Sequence, residues 1–231
     1  KSKGDENFNL FFGHRRLSVI DLSVHGHQPM KFKNNYIVFN GEIYNYLEIR
    51  HELKSKGYSF ISETDTEVIL KAYDCWGLNC VSRFNGMWSF VLWDELKQIL
   101  FVCNDRFGVK PLYSAKSNSK IIYASEIRQF HFFSCLDLSI NSENQDLYVN
   151  YGITPIDNTT YYNEIERFPK STYKVINLNA NRTEKNVAYY SLNNLPKRSK
   201  LDFDDTDHEL SYLLKDAIKL RMRSDVEIGI S

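Results

Sequence analysis

The sequence has no excess of charge of either sign: 29 Lys and Arg residues stand against 29 Asp and Glu, for a formal net charge of +0. A nucleic-acid partner normally requires a basic excess or stripe to meet phosphates, so this balance argues against nucleic-acid binding. Long apolar runs are missing as well. None approaches the roughly 20 residues needed to cross a bilayer, so no membrane span is expected. The opening residues Lys1-Ser2-Lys3-Gly4-Asp5-Glu6-Asn7 are polar and carry no secretory signal, and a cytoplasmic location is expected. Cysteine is scarce. Cys75, Cys80, Cys103 and Cys135 are the only four in 231 residues, and their spacing fits no zinc pattern. They read as free thiols in a reducing compartment. His14, His25 and His27 lie close in sequence without forming a recognised ligand set, so no metal site is expected. Internal repeats and low-complexity tracts are absent too.

What is present supports a packed core. Apolar residues make up 42% of the chain, enough to exclude disorder, and the 15 Tyr and 15 Phe read as core and strand residues. Phe8–Phe12, Leu17–Leu22 and Tyr36–Phe39 read as strands, and Ser59–Ser62 as a short one. Tyr46, Ile49 and Leu53 make a helical stripe stopped by Gly57; Ile69, Ala72, Tyr73 and Trp76 make another stopped by Gly77. Met87–Trp93 is apolar at nearly every position, as in a strand covered on both faces. Asp94–Lys97 turns it into Ile99–Cys103, and Leu112–Ala115 with Ile121–Ala124 form a second hairpin. A helix is expected from Glu126. Beyond Ser139 the pattern is irregular; 193–200 reads as a linker, a helix runs from about Thr206 to Met222 with Leu210, Leu213, Leu214, Ala217 and Ile218 on its apolar face, and a strand begins at Asp225. Hairpins with amphipathic helices argue for an α+β fold of antiparallel sheets stacked face to face, helices outside.

The most informative stretch is Phe39-Asn40-Gly41-Glu42-Ile43-Tyr44-Asn45, directly after an apolar strand. An Asn-Gly pair there predicts a tight bend presenting a side-chain amide and a free backbone N–H. Two such donors converging on one point can stabilise an oxyanion, with the Glu42 carboxylate beside them. Around it stand Gly13-His14-Arg15-Arg16-Leu17-Ser18-Val19-Ile20-Asp21 and Gly26-His27-Gln28-Pro29-Met30, then Glu63-Thr64-Asp65-Thr66-Glu67-Val68-Ile69. Asn104-Asp105-Arg106-Phe107-Gly108-Val109-Lys110-Pro111-Leu112-Tyr113 and Tyr123-Ala124-Ser125-Glu126-Ile127 follow. In this order the motifs resemble the glutaminase domain of the glutamine-hydrolysing asparagine synthetase family, a class II glutamine amidotransferase of the Ntn-hydrolase type, from about Gly13 to the C-terminus.

The resemblance implies the αββα four-layer sandwich of that type, and a reaction in which glutamine is hydrolysed to supply ammonia for amidation of aspartate. A glutaminase must hold an α-carboxylate, an α-ammonium and a reacting amide. A guanidinium pairs bidentately with a carboxylate, which suits Arg15 or Arg16; the family motif selects Arg16. Glu42 and Asp65 suit the ammonium, although Asp65 could equally cap a helix. Asn40 and Gly41 suit the oxyanion as the catalytic pair, and Leu17 and Val19 are implied to line the pocket beside Arg16.

Two parts of the family pattern are missing. The nucleophile there is a cysteine at the mature N-terminus whose free amine can act as base; this chain opens on Lys1 and none of its cysteines has a neighbouring base, so the chain by itself is expected to be inactive. Arg221-Met222-Arg223-Ser224-Asp225-Val226 and Gly229-Ile230-Ser231 resemble the run into a phosphate-binding loop that lies further on. The expected organisation is therefore a glutaminase domain over 1–197, incomplete at its start, and the start of a synthetase (ATP-pyrophosphatase) domain over 198–231. No cofactor is expected in this piece; ATP and magnesium belong to the missing synthetase domain. The expected partners are glutamine, that domain and a second copy as a homodimer. Two alternatives stay open: an amidotransferase acting on a sugar acid or peptide carboxylate, or a non-catalytic scaffold.

Overall fold

The computed structural model describes residues 9–17, 19–117, 120–178, 184–195 and 203–229. A six-stranded antiparallel sheet forms its centre, in the order β1 (Met30–Phe32), β2 (Asn35–Ile43), β3 (Gly86–Asp94), β4 (Ile99–Asn104), β8 (Thr172–Asn177), β9 (Glu184–Ala188). A second sheet has the order β6 (Lys120–Ala124), β5 (Tyr113–Ser117), β7 (Ile165–Arg167). The two expected hairpins are present, with Leu92 opposite Phe101 in one and Ala115 opposite Ile122 in the other.

The alternation of side chains along β3 explains the layering. Trp88, Phe90 and Leu92 join the cluster under two helices, α1 (Tyr46–Ser55) and α2 (Asp65–Trp76), whereas Val91 and Trp93 join Val102, Leu112 and Phe168 between the sheets. A third cluster, with Ala115, Ile122, Phe130 and Ile165, lies under a 3-10 helix at Ile127–Phe132 on the far side of the small sheet. Helices, sheet, sheet and a thin helical layer make the α+β sandwich. The largest fully buried side chains include Trp88, Phe84, Phe90 and Phe101, and burying each stabilises the fold by about 1.5–3 kcal/mol.

Several expected elements differ. Described residues 9–12 and 19–22 are not strands, though exposure alternates strictly from Asn9 to Leu17. The pleat pattern is there, but among the described residues no neighbouring strand supplies a ladder. Residues 59–62 form a loop rather than a strand, because the Ile61 and Ser62 N–H groups are taken by the Glu67 carboxylate and the Ser62 carbonyl by Arg50. The helix expected from Glu126 is a single 3-10 segment. α3 (Ser142–Tyr151), β7, β8 and β9 arise where the pattern was irregular. The late helix is α4 (Phe203–Arg221), but Leu210, Leu213, Leu214 and Ile218 on its apolar stripe are exposed. Residues 225–229 are not a strand. Phe8, Ser18, residues 196–200, Ile230 and Ser231, all within expected elements, lie outside the described residues.

Candidate active site

The candidate site is a cleft of about 610 Å³ at the open end of the space between the two sheets. Period-two alternation puts Asn40 on the β2 face that also carries Tyr36 and Val38, both packed between the sheets. Arg16, Leu17, Val19, Asn40, Gly41, Glu42 and Asp65 all line the cleft. Arg16 and Asp65 are 49 positions apart in sequence, and the fold brings them to one cleft.

The Asn40-Gly41 pair lies inside a strand and not on a tight bend beyond it. β2 continues to Ile43, with Asn40 opposite Ser89, Gly41 opposite Trp88 and Glu42 opposite Met87. Glycine is required there for a different reason. Gly41 has a φ of +135°, and a Cβ on it would meet the Met87 carbonyl oxygen at 2.0 Å. The strand therefore bends locally at Gly41 while staying paired.

Arg16 is held by its own loop. Its guanidinium donates to the carbonyls of Ile20 at 2.5 Å, Asp21 at 2.6 Å and Ser23 at 3.3 Å, which uses three of its five donors. It also lies flat against Gly26, where a Cβ would come within 2.3 Å of it. Asp21 sits at a φ of 54° and fastens this loop to the next element: its carboxylate accepts from Ser23 N at 2.9 Å and from Glu63 N at 2.8 Å.

Asp65 opens α2. The helix cap is Thr64, whose hydroxyl accepts from Glu67 N at 3.1 Å, so Asp65 is not the cap. Its carboxylate instead accepts the Ile43 N–H at 2.9 Å. Burial pushes the Asp65 carboxyl up to about 7; the Ile43 bond opposes this and the Glu42 charge adds to it. Burial raises Glu42 too, with Lys110 pulling the other way. Two carboxyl groups, each raised by burial, thus line the same cleft. The loop before Asp65 is fixed by buried polar groups: Arg50 of α1 donates to the Ser62 carbonyl at 2.6 Å and the Thr64 carbonyl at 3.0 Å, and Glu67 pairs with Lys71.

Other residues of the site stand in the same motifs, but the sequence assigned them no role. Gln28 accepts the Phe39 N–H at 2.6 Å and donates to Thr66 at 3.4 Å, tying β2 to α2. Asp105 is fully buried and accepts from the backbone N–H groups of Trp88, Phe107, Val109 and Lys110, which sets the loop that brings Lys110 to the cleft. His14 and Tyr123 also line the cleft, and the His14 Nδ1 and Tyr123 hydroxyl are buried without a hydrogen-bond partner among the described residues. Burial lowers the His14 pKa, and the Arg16 charge acts in the same direction. No cysteine lines the cleft. All four are free, and burial holds the thiols of Cys80 and Cys103 well above their ordinary range. Among the described residues, no group of three or more His, Cys, Asp or Glu side chains is placed to hold a metal ion, and no helix is long and apolar enough to cross a membrane.

Known proteins resemble this chain throughout. A putative asparagine synthetase [glutamine-hydrolyzing] 2 of Methanocaldococcus jannaschii is 34% identical over 97% of this chain and 46% of its own length. Asparagine synthetase [glutamine-hydrolyzing] 1 of Bacillus subtilis is 33% identical over 94% of this chain and 34% of its own. The chain thus spans less than half the length of these relatives. Among solved structures, the glutamine phosphoribosylpyrophosphate amidotransferase of B. subtilis superimposes with a TM-score of 0.54 over 77% of this chain and 34% of its own, at 18% identity, which supports the fold alone. Residues 5–190 match the family profile described as Glutamine amidotransferase domain. That match spans most of the chain and every residue of the cleft, and the chain belongs to the glutamine amidotransferase domain family.

Proposed function

We propose that the cleft binds glutamine and that the chain is the glutaminase part of an ATP-dependent asparagine synthetase. The observation that carries this reading is the convergence of one guanidinium, two carboxyl groups and an Asn-Gly pair on a single cleft between the sheets. Arg16 takes the α-carboxylate, Glu42 and Asp65 the α-ammonium, and Leu17 and Val19 flank the ligand. The Asn40 amide and Gly41 N–H receive the oxyanion that forms when the side-chain amide is attacked. No cysteine of the chain lines the cleft, so the 231-residue chain by itself has no thiol placed to attack and does not turn over glutamine.

On this reading residues 1–197 belong to the glutaminase domain and 198–231 to the start of the synthetase domain, where ATP and magnesium activate the carboxylate of aspartate. The four free thiols suit a reducing, cytoplasmic setting. The test is steady-state kinetics on the full-length protein with glutamine and with ammonium chloride. Arg16→Ala should raise KM for glutamine by the equivalent of about 1.5–3 kcal/mol and leave ammonium-dependent synthesis intact. Asn40→Ala should lower glutamine turnover roughly 100- to 1,000-fold with little effect on binding. Equal losses with both nitrogen sources would remove the glutamine assignment.

A further inference from the structure

The residues following α4 reach back to the loop on which Arg16 rests. Asp225 Oδ2 accepts the Asp21 N–H at 2.7 Å, and Asp225 N–H donates to the Val19 carbonyl at 3.0 Å. The first of these bonds joins positions 204 apart in sequence. Arg223, two residues earlier, fixes the same segment to the other side of the cleft. It makes a bidentate pair with Glu48, at 2.7 and 2.6 Å, and donates to the Tyr44 carbonyl at 2.6 Å, just beyond Glu42 and Ile43. Asp21, which receives the Asp225 contact, has a left-handed backbone, a region that aspartate adopts more readily than most non-glycine residues. Its carbonyl, with that of Ile20, is what the Arg16 guanidinium rests on.

We propose that Asp225, anchored by Arg223, is a positioning residue for the glutamine site, holding the Val19–Asp21 backbone so that the Arg16 guanidinium stands ready for a carboxylate. It touches no substrate. The segment that carries it is the start of the synthetase part, so displacing that segment would loosen Arg16 and weaken glutamine capture. The two parts of the enzyme are then coupled through two hydrogen bonds to the Val19–Asp21 backbone, one from the Asp225 N–H and one to its carboxylate. This rests on the reading of Arg16 as the carboxylate anchor.

The experiment is a double-mutant cycle in the full-length protein, read as glutamate release from glutamine and, separately, as ammonium-dependent synthesis. Asp225→Ala should raise KM for glutamine about fivefold to twentyfold, with kcat within about twofold of the parent. Asp225→Asn should restore most of the loss, because an amide oxygen still accepts the Asp21 N–H. In the Arg16→Ala background, Asp225→Ala should add less than about twofold. If Arg16→Ala raises KM but Asp225→Ala does not, or adds its full effect on top of Arg16→Ala, the positioning role is overturned and the glutamine site stands. An Arg16→Ala variant with unchanged KM would overturn both. Should Asp225→Ala not fold, Arg223→Gln decides: it releases the same segment without touching the Arg16 loop, and an unchanged glutamine KM there would overturn the proposal.

Discussion

Asp65 and Glu67 stand two residues apart at the start of one helix and respond to pH in opposite directions. Burial pushes Asp65 to about 7 from an ordinary value of 3.8. Between those values the folded chain holds a proton that the unfolded chain has released, so stability falls as pH rises through the window, by on the order of 4 kcal/mol at its top. Burial also acts to raise Glu67, but Lys71, the Ser62 hydroxyl and the N–H groups of Ile61 and Ser62 together hold it below its ordinary value. Its contribution is present above the unfolded value and is lost as pH falls through the folded one. Denaturant titrations across pH should show the first slope flattened in Asp65→Asn and the acid limb weakened in Glu67→Gln; an unchanged slope in Asp65→Asn would mean that Asp65 is not the buried acid. On the proposed glutamine reading an ammonium meets the same carboxyl, so glutamine binding near pH 6 should release a proton, visible in calorimetry as a heat that depends on the buffer. The residues of this site were legible in sequence as types in motifs. The conformation of Gly41 was not, since an Asn-Gly pair reads locally as a turn and only the facing Met87 carbonyl shows why the glycine is needed.

Elements were legible where burial was one-sided or complete. β3 and β4 declare themselves because they are buried on both faces and so apolar at nearly every position, and α2 because its apolar residues recur at the helical period. β9 does not, because Glu184–Ala188 is an edge strand with mostly exposed, partly charged residues. β8 sits against β4 but half-buries most of its side chains, which blurs the alternation. The stretch from Asn9 to Leu17 shows the converse, a strand pattern without a strand partner. The loop at residues 59–64 holds its shape through polar bonds from α1 and α2, and a test follows from that. Arg50→Met keeps the aliphatic bulk but leaves the Ser62 and Thr64 carbonyls without their donor. Each buried carbonyl left unmet costs about 1–3 kcal/mol, so a loss of roughly 2–6 kcal/mol is expected in urea unfolding. Hydrogen exchange at Ile61 and Ser62 should quicken first; uniform exchange across the chain would show that Arg50 supports the whole core and not this loop.

At the scale of the molecule, one sheet serves two cores. The strands β2, β3 and β4 bury one face under α1 and α2 and the other against the small sheet, and the cleft opens where the second layer ends. The motifs of the sequence mark the rim of that opening, whereas the layering that creates it depends on β5 pairing with β7 across about fifty residues of chain, a contact with no local signature. The chain's three tryptophans divide between these cores. Trp88, fully buried, and Trp76 belong to the helical side, and Trp93 to the layer between the sheets. Intrinsic fluorescence therefore has a built-in address. In Trp93→Phe the remaining emission comes from the helical side alone, and its denaturation curve should shift as a whole by the small cost of a trimmed ring while keeping the slope of the parent. A second, separate transition seen only with Trp93 present would mean that the two layers melt independently, and the mouth of the cleft could then open while the helical side of the molecule stays folded.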